Sequence, residues 1–352
     1  GLIMAYTTID KPSDYFNTKL YTGTGSEHAI SGIGFAPNLV WLKCRSDANN
    51  PMLFDTVRGA TKNLYPNLTT AEGTEAQSLK SFDSDGYTLG TESDINGSSK
   101  TNVGWNWKAG TSFTNDASST GVGSIDSAGS VNQDAGFSII GYSGDTSDAP
   151  STVAHGLSQK PEMMFIKRRT LSGQWVVYNK TIGATHNLHL DSTDASSAYQ
   201  YFFNNTEPTS SVFTVGDDGE SNKTGSNYIA YCFHSVQGYS KIGSYTGNGN
   251  ADGTFVYTGF KPAWLMVKRT DGTDYWYMYD NKRDVDNVIE HKLEANDSAA
   301  EYTSVDWLDF TSNGFKWRYT GGGVNASGGT YIYMAFAENP FVTSGGVPAT
   351  AR

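Results

Sequence analysis

Five short, aromatic-rich segments recur three times along this chain, always in the same order. The second segment is the most regular: a run of four apolar residues follows a proline and ends at a lysine. That lysine stands six residues after the proline in every copy, at Lys43, Lys167 and Lys268. Repetition of this kind predicts three similar units, each too small to bury its own apolar faces without a neighbour.

The other four segments also have counterparts in each copy. The opening segment begins at Tyr21, Tyr142 and Tyr245; the third ends at Asp55, Asn179 and Asp280; the fourth contains Tyr87, Phe213 and Phe315; the closing segment covers 105–107, 228–233 and 331–336. All are short, rich in Tyr, Trp, Val and Ile, and separated by Gly, Asn, Asp and Ser, which is typical of β-strands. The closing segments are apolar on both faces, as in a sandwich that also packs on another module. The pattern predicts an all-β fold of tandem antiparallel β-sandwich modules of jelly-roll type.

The recurrence also predicts a division of the chain. We expect an N-terminal anchoring arm (1–17), β repeat 1 (18–110), a Ser/Gly-rich linker or long loop (111–134), β repeat 2 (135–236), β repeat 3 (237–343) and a C-terminal tail (344–352). The arm carries Tyr6, Tyr15 and Phe16, which we expect to make assembly contacts. Short connections between repeats favour a rigid rod or a compact pseudo-threefold body.

Charge and composition exclude several functions. Lys and Arg number 25 against 36 Asp and Glu, a net charge of −11 that repels phosphate and argues against nucleic-acid binding. No apolar run approaches the roughly 18–20 residues needed to cross a bilayer, so we expect no membrane insertion. Two cysteines, Cys44 and Cys232, make no disulfide framework, and we expect both to be buried free thiols.

The sequence contains no nucleophile elbow, no phosphate-binding loop and no zinc pattern, so we expect no enzyme, no catalytic residue, no metal site and no cofactor. Acidic turns at 83–86, 94–97 and 217–219 leave calcium as an alternative, although turn residues of this type need no ion. Asp284, Asp306 and Asp309 are the suspects if the chain hydrolyses polysaccharides, since glycosidases use paired carboxylates. Solvated turn acids are the simpler interpretation.

Aromatic residues of the third copy are the most informative candidates for a site. Rings exposed on a β-surface among polar residues can stack on sugars. We expect glycan contacts from six of them: Tyr275, Tyr277, Tyr279, Trp307, Trp317 and Tyr319. The alternative is that these rings pack against a neighbouring repeat or subunit. The recurring lysines are expected to be solvated charges at strand ends, with a repeated salt bridge between repeats as the alternative.

Four stretches resemble one group of proteins. Residues 4–18, 228–233, 243–268 and 328–338 are similar to repeat-containing virion structural proteins of marine tailed bacteriophages, of tail-fibre-like or lectin-like type. The resemblance extends over nearly the whole chain and is strongest in residues 225–341. It implies concanavalin- or SPRY-like sandwich modules in a protein made in the host cytoplasm and displayed on the virion surface.

The resemblance leads to a functional expectation with alternatives. We expect a non-enzymatic surface protein, part of a tail or head fibre or appendage, that assembles as a homo-oligomer, with a trimer favoured. Its expected partners are itself, other virion proteins and a host cell-surface glycan. A capsid decoration or sheath protein without a ligand is one alternative. A polysaccharide-degrading enzyme of a phage particle is the other.

Overall fold

The computed structural model describes residues 5–145 and 150–350. It confirms the all-β class: antiparallel strands dominate, arranged in several sheets that pack as sandwiches. Three lobes follow one another along the chain. Three parts of the expected division lie outside the described residues: the first four residues of the arm, residues 146–149 of repeat 2, which include Thr146 at the end of its opening segment, and the last two residues of the tail.

Lobe 1 covers residues 16–107 and follows a short 3₁₀ turn at Pro12–Asp14. Its elements are β1 (Phe16–Thr22), β2 (His28–Ser31), β3 (Leu39–Cys44), β4 (Met52–Asp55), β5 (Lys62–Asn63), β6 (Gly73–Thr74), β7 (Leu79–Asp83), β8 (Gly86–Leu89), α1 (Ser93–Asn96) and β9 (Thr101–Trp107). The inner sheet has the order β1-β9-β3-β4 and the outer sheet the order β2-β8-β7, with β5 and β6 paired separately.

Lobe 2 covers residues 111–233. Its elements are β10 (Thr111–Asn115), α2 (Ala117–Thr120), β11 (Ser127–Asn132), β12 (Phe137–Ser143), β13 (Ser151–Ala154), β14 (Met163–Arg168), β15 (Val176–Asn179), β16 (His186–His189), β17 (Ser197–Ala198), β18 (Val212–Val215) and β19 (Asn227–Phe233). The inner sheet has the order β10-β11-β12-β19-β14-β15-β16-β17, and the outer sheet pairs β13 with β18.

Lobe 3 covers residues 240–340. Its elements are β20 (Ser240–Thr246), β21 (Phe255–Tyr257), β22 (Phe260–Arg269), β23 (Trp276–Asp280), β24 (Leu293–Glu294), β25 (Leu308–Thr311), β26 (Gly314–Trp317), α3 (Gly322–Asn325) and β27 (Thr330–Pro340). The inner sheet has the order β20-β27-β22-β23-β24 and the outer sheet the order β21-β26-β25.

One pairing pattern recurs in the inner sheets. The strand of the opening segment pairs with the closing strand, and the closing strand pairs with the strand of the apolar run, giving β1-β9-β3, β12-β19-β14 and β20-β27-β22. Among the residues described, only lobe 2 extends this sheet beyond its opening strand. There β11 pairs with β12 from Ser127↔Tyr142 to Asn132↔Phe137, and β10 pairs with β11.

The expectation of a linker at 111–134 is therefore wrong, because this stretch contributes two strands of the lobe 2 sheet. Small side chains are what let β11 fit there. A Cβ placed on Gly129 would lie 1.8 Å from the carbonyl oxygen of Ile139 on the adjacent strand. Glycine and serine have weak strand propensity, so composition alone favours a loop.

A shared core explains why the closing strands are apolar on both faces. The inner sheets of all three lobes contribute to one cluster of buried residues, which includes Trp105 of lobe 1, Tyr231 of lobe 2 and Trp264 of lobe 3. Each lobe has a second cluster between its own two sheets. The body is therefore compact around the shared core, and of the two expected shapes it matches the pseudo-threefold body.

The three recurring lysines are buried, which corrects the expectation of solvated charges. Lys43, Lys167 and Lys268 each have a fully buried side chain whose ammonium group donates to main-chain carbonyls. One acceptor is always the residue six positions later in the same lobe: Asn49, Gly173 and Asp274. Desolvation lowers the pKa of each ammonium group to about 8.

The second acceptor of each buried lysine lies in another lobe. Lys43 donates to Ser298 of lobe 3 over 3.0 Å, and Lys268 donates to Thr193 of lobe 2 over 2.8 Å. Lys167 completes the set by donating to Thr69 of lobe 1 over 3.0 Å. Lobe 1 thus reaches lobe 3, lobe 3 reaches lobe 2 and lobe 2 reaches lobe 1. The three interfaces close into a ring.

Buried ion pairs reinforce two of these interfaces. Arg58 donates to Asp55 over 2.5 Å, and Tyr231 of lobe 2 donates to the same carboxylate over 2.6 Å. In lobe 3, Arg283 donates to Asp280 over 2.6 Å, and Trp105 of lobe 1 donates to it over 3.0 Å. Each carboxylate therefore has an arginine from its own lobe and a donor from the next.

The third interface has no such pair, because the equivalent positions carry Asn179, Ile182 and Met334. Met334 occupies the place of Trp105 and Tyr231: each of the three pairs with the residue two positions before the buried lysine of its own lobe. The ring of lobes thus has two interfaces with a buried Asp–Arg pair and one interface without such a pair.

Residues 5–17 of the expected anchoring arm are part of the folded body. Phe16 begins β1 and lies in the shared core, 5.0 Å from the ring of Trp107 between centroids and 5.1 Å from that of Phe336. The hydroxyl of Tyr6 donates to the carbonyl of Gly259 in lobe 3 over 2.8 Å. Because Phe16 is buried, its expected role as an assembly contact is wrong, and repeat 1 begins before residue 18.

Two further expectations concern cysteines and membranes. Cys44 and Cys232 are free and buried, as expected. Burial raises the pKa of the Cys232 thiol to about 12, which keeps it protonated and unreactive at neutral pH. In the described ranges, no helix is long and apolar enough to cross a membrane.

Candidate functional site

The six rings expected to contact a glycan lie together in lobe 3, but most of them are buried. Tyr277, Tyr279, Trp307 and Trp317 belong to the core between the two sheets of that lobe. Tyr279 and Trp317 are fully covered. Tyr319 is partly buried against the same core, and Tyr275 is 36% exposed. The four buried rings cannot stack on a sugar, so the alternative of packing within the protein is correct for them.

A lysine that sequence reasoning missed occupies the faces of these rings. The Nζ atom of Lys292 lies 4.3 Å from the ring centroid of Tyr277, 4.1 Å from that of Tyr302 and 4.7 Å from that of Trp307. Glu294 accepts from the same ammonium group over 2.8 Å. The cluster is a cation–π arrangement closed by the protein's own side chain, and it stabilises lobe 3.

The three carboxylates suspected of catalysis have different surroundings. Asp309 is paired with Arg318, and Asp284 accepts from the ring and the main-chain amide of His291. Asp306 is exposed to solvent. Charge pairing of this kind is the arrangement of structural acids, whereas a glycosidase needs one carboxyl group kept protonated.

The acidic turns considered for calcium use their oxygens on the protein itself. Asp85 accepts from the amides of Gly32 and Gly34 over 2.9 and 2.6 Å, and these bonds lower the pKa of its carboxyl group. Asp94 accepts from Asn49, and Asp218 accepts from Tyr199. Among the residues described, no three His, Cys, Asp or Glu side chains lie close enough together to hold a metal ion.

A large cleft of the described structure lies beside β10 and β11, where a linker was expected. Its volume is about 1010 Å³, at the upper end of the range of small-molecule sites. Tyr15, the hairpin of β10 and β11, and the start of the connection after β13 form its walls. Its lining includes the side chains of Tyr15, Lys108, Phe113, Asn132, Gln133 and Ser158.

Two aromatic rings in the cleft are partly exposed. Tyr15 packs edge-on against Tyr239, with 5.9 Å between ring centroids. Phe113 leans on the core of lobe 2 next to Gly156, whose φ is +72°. A Cβ placed on Gly156 would lie 2.8 Å from the Phe113 ring, so the glycine makes room for that ring. Both rings present a face or an edge to the cleft.

Neutral polar groups surround these rings. The amide of Gln133 donates to the carbonyl of Gly156 over 2.8 Å and to the hydroxyl of Ser158 over 2.9 Å, which fixes its orientation. Asn132 donates to the carbonyl of Lys108 over 3.2 Å. The hydroxyls of Thr111, Ser112, Ser210 and Ser211 also line the cleft. Hydroxyl and amide groups both donate and accept hydrogen bonds, as a ligand rich in hydroxyls requires.

Little charge reaches this cleft. Lys108 and Asp134 are its two ionisable side chains besides Tyr15. The ammonium group of Lys108 lies 5.8 Å from the centroid of the Tyr15 ring. The arrangement can stack a flat apolar face of a ligand and hydrogen-bond its hydroxyls, and it offers no nucleophile placed beside a base. Sequence reasoning missed this cleft because its residues come from a low-complexity stretch and from the expected arm.

Comparison with known proteins gives a match to one family model. No curated protein matches the chain. A family model described as "Domain of unknown function (DUF7483)" matches residues 11–340, which include all three lobes and both rings of the cleft. The chain belongs to the DUF7483 family.

Proposed function

We propose that this chain is a non-enzymatic surface protein of a bacteriophage particle, part of a fibre or appendage, which binds a host cell-surface glycan in the cleft beside β10 and β11. The observation that carries the glycan-binding role is the composition of that cleft. Two partly exposed rings, Tyr15 and Phe113, stand among hydroxyl and amide groups with little charge. Sugars present apolar faces and many hydroxyls, and such a surface complements both.

The structural part of the proposal is supported by how the lobes are joined. Buried lysines link each lobe to the next, and two interfaces add buried ion pairs. A body held in this way keeps its surface features in constant relative positions, which suits a protein displayed outside the cell. The phage setting rests on the resemblance of residues 225–341 to virion structural proteins.

A glycan array followed by calorimetry tests the binding role. We expect at least one class of neutral or weakly charged host glycan to bind the intact chain. Tyr15→Leu should weaken that binding about fivefold, because an aromatic stacking contact contributes about 1 kcal/mol. Tyr302→Leu is the matched control, since it removes an exposed ring outside the cleft. Absence of binding across a broad array would reject the glycan-binding role.

Native mass measurement tests the assembly part. Light scattering on the purified chain, with negative-stain images of the same fractions, should show a closed homo-oligomer, and a trimer is the proposed state. A stable monomer would contradict self-assembly while leaving glycan binding open to the array. Open-ended polymers would instead favour a sheath or decoration protein.

A further inference from the structure

The opening strands of lobes 2 and 3 differ in what covers their outer edge. In lobe 2, β12 pairs with β19 on one side and with β11 on the other. In lobe 3, the equivalent strand β20 pairs with β27 and ends the sheet. Where β11 would lie there is a groove of about 470 Å³ between β20 and β21, which we call the lobe 3 seam.

Main-chain groups of β20 point into this seam. The amide of Gly247, directly after β20, donates to the carbonyl of Gly329, directly before β27. The odd-numbered residues of β20 therefore bond toward β27 and the even-numbered residues face outward. The amide of Ile242 does face outward, where the Ser235 hydroxyl accepts from it over 2.9 Å. Ser244 is the next outward residue, and it is exposed. Its counterpart in lobe 2, Gly141, pairs with Ala128 of β11.

The opposite wall of the seam carries two exposed rings. Phe255 and Tyr257 are 45% and 53% exposed, and they flank Val256, which pairs with Phe315. In lobe 2 the matching pair is Val153 with Phe213. The residues that flank Val153 are small, Thr152 and Ala154, and the chain that leads into β11 lies against them. Lobe 3 thus exposes apolar surface where lobe 2 is covered by polypeptide.

The charge at the seam indicates which polypeptide would fit. Lys180 and Lys241 both line it. Lys180 is paired with Glu162, whereas Lys241 has no ion pair among the residues described. The rest of the chain is acidic overall, with a net charge of −11. A segment with a carboxylate beside Lys241 would therefore be attracted to a local cation on an otherwise repelling surface.

We infer that the lobe 3 seam binds an extended segment of another polypeptide, which adds to β20 as an antiparallel strand in the way that β11 adds to β12. Strand addition supplies partners for the Ser244 amide and carbonyl and covers the two rings. The segment needs small side chains toward β20, as β11 has, and an acidic residue near Lys241. The inference goes beyond glycan binding and concerns a different surface.

A labelled peptide tests the inference on the intact chain. The probe is a fluorescein-labelled peptide with the sequence of residues 124–133 and the substitution Val131→Asp, because Val131 pairs with Ser138, the lobe 2 counterpart of Lys241. We expect its fluorescence anisotropy to rise with protein concentration and to saturate. Ser244→Pro should weaken binding at least tenfold, since proline has no amide hydrogen yet is tolerated on an edge strand. Tyr201→Ala is the control: it removes a ring of lobe 2 that is 45% exposed and does not line the seam, and it should leave binding unchanged.

A double variant distinguishes binding of a peptide at the seam from binding of a saccharide. Phe255→Thr and Tyr257→Ala install the residues found at these positions in lobe 2. A peptide that hydrogen-bonds to β20 should still bind the double variant, with affinity changed by less than tenfold. Lack of saturable peptide binding to a folded wild-type chain would overturn the inference. Peptide binding that Ser244→Pro leaves intact would also overturn it. The same holds if the peptide does not bind and an acidic oligosaccharide binds the seam in a way that the double variant abolishes.

Discussion

The ammonium group of Lys268 donates a 2.8 Å hydrogen bond to the carbonyl oxygen of Thr193, which lies 75 residues away in the neighbouring lobe. Lys43 and Lys167 make the same type of bond in the other two interfaces. A lysine in this setting orders two loops at once, one from each lobe. The bonds to charged donors inside the protein are stronger than those between neutral groups, so they compensate for the burial of the charge.

Replacing one buried lysine should loosen the interface it spans. We expect Lys268→Met to lower the free energy of unfolding by about 2 kcal/mol, because the carbonyls of Thr193 and Asp274 lose their donor. Chemical denaturation measures this loss. Lys241→Met serves as the control, since that lysine is partly exposed and should change stability by less than about 0.5 kcal/mol. Equal effects of the two substitutions would contradict a structural role for Lys268.

The Asp55–Arg58 pair should behave as a unit. Both side chains are fully buried, so Arg58→Ile leaves an unpaired carboxylate and should cost about 3–5 kcal/mol. The double variant Asp55→Asn/Arg58→Ile reproduces the residues that stand at Asn179 and Ile182 in lobe 2. It should be more stable than Arg58→Ile alone. A double-mutant cycle by urea unfolding measures the coupling, and strictly additive effects would show that the pair does not interact.

His155 should make the protein sensitive to mild acid. Its Nδ1 accepts from the amide of Leu157, its Nε2 donates to Thr209, and burial lowers its pKa to about 4. Below pH 6.5, His155 binds a proton in the unfolded chain but stays neutral in the folded chain. The free energy of unfolding therefore decreases as the pH falls toward 4. The loss attributable to this group is about 3 kcal/mol.

A histidine-to-glutamine comparison isolates that effect from the carboxylates. The free energy of unfolding of His155→Gln, measured at pH 7 and at pH 4.5, should fall less than that of the wild type. His186→Gln, at a partly exposed histidine, should follow the wild type. If all three proteins lose the same stability, His155 is not the origin of the acid sensitivity.

Gly156 should control the shape of the polar cleft. An added Cβ would lie 2.8 Å from the Phe113 ring, and φ of +72° is itself unfavourable for alanine. Gly156→Ala should therefore displace Phe113, lower stability by about 1–2 kcal/mol and reduce glycan affinity. Gly328→Ala is a suitable control. Gly328 lies outside the cleft, has a similar φ of +75° and has open space around it, so this substitution should share the backbone cost without affecting binding.

The N-terminal segment should be required for folding. Phe16 packs between rings of lobes 1 and 3, so Phe16→Ala should cost about 3–5 kcal/mol. Deleting residues 5–20 removes most of β1 and should give an unfolded or aggregated chain, as judged by circular dichroism and gel filtration. A soluble, folded product of that deletion would restore the idea of a separate anchoring arm.

The all-β class and the apolar faces that the lobes bury could be predicted from the sequence, because both are rich in aromatic and β-branched residues. The buried lysines were not. Lysine is rarely buried, and the acceptor for Lys43 is Ser298, 255 residues away. The same limit applied to β11, whose pairing depends on small residues fitting between neighbouring strands. Gly129 has no local preference for the strand conformation that would predict this pairing.

The candidate site shows a similar limit. Sequence reasoning found that the rings of lobe 3 lie together but could not tell which of them faces solvent. Tyr277 and Trp307 are held inward by Lys292, which adjoins them only in the folded chain. Tyr15 was recognised as an important ring but placed in an arm. Its neighbour in the cleft, Phe113, comes from the stretch that composition marks as a linker.

The unequal interfaces between lobes restrict which lobe can sit beside which. Asp280 needs the indole of Trp105, and Asp55 needs the hydroxyl of Tyr231. The side chain of Met334 has no hydrogen-bond donor. It therefore fits only opposite lobe 2, where Asn179 stands in place of the aspartate. A lobe borrowed from a second chain in the wrong position would bury an acid beside a methionine. Similar inner sheets therefore coexist with a unique order of neighbours, and pairing of a lobe with the wrong neighbour, within one chain or between two chains, is disfavoured.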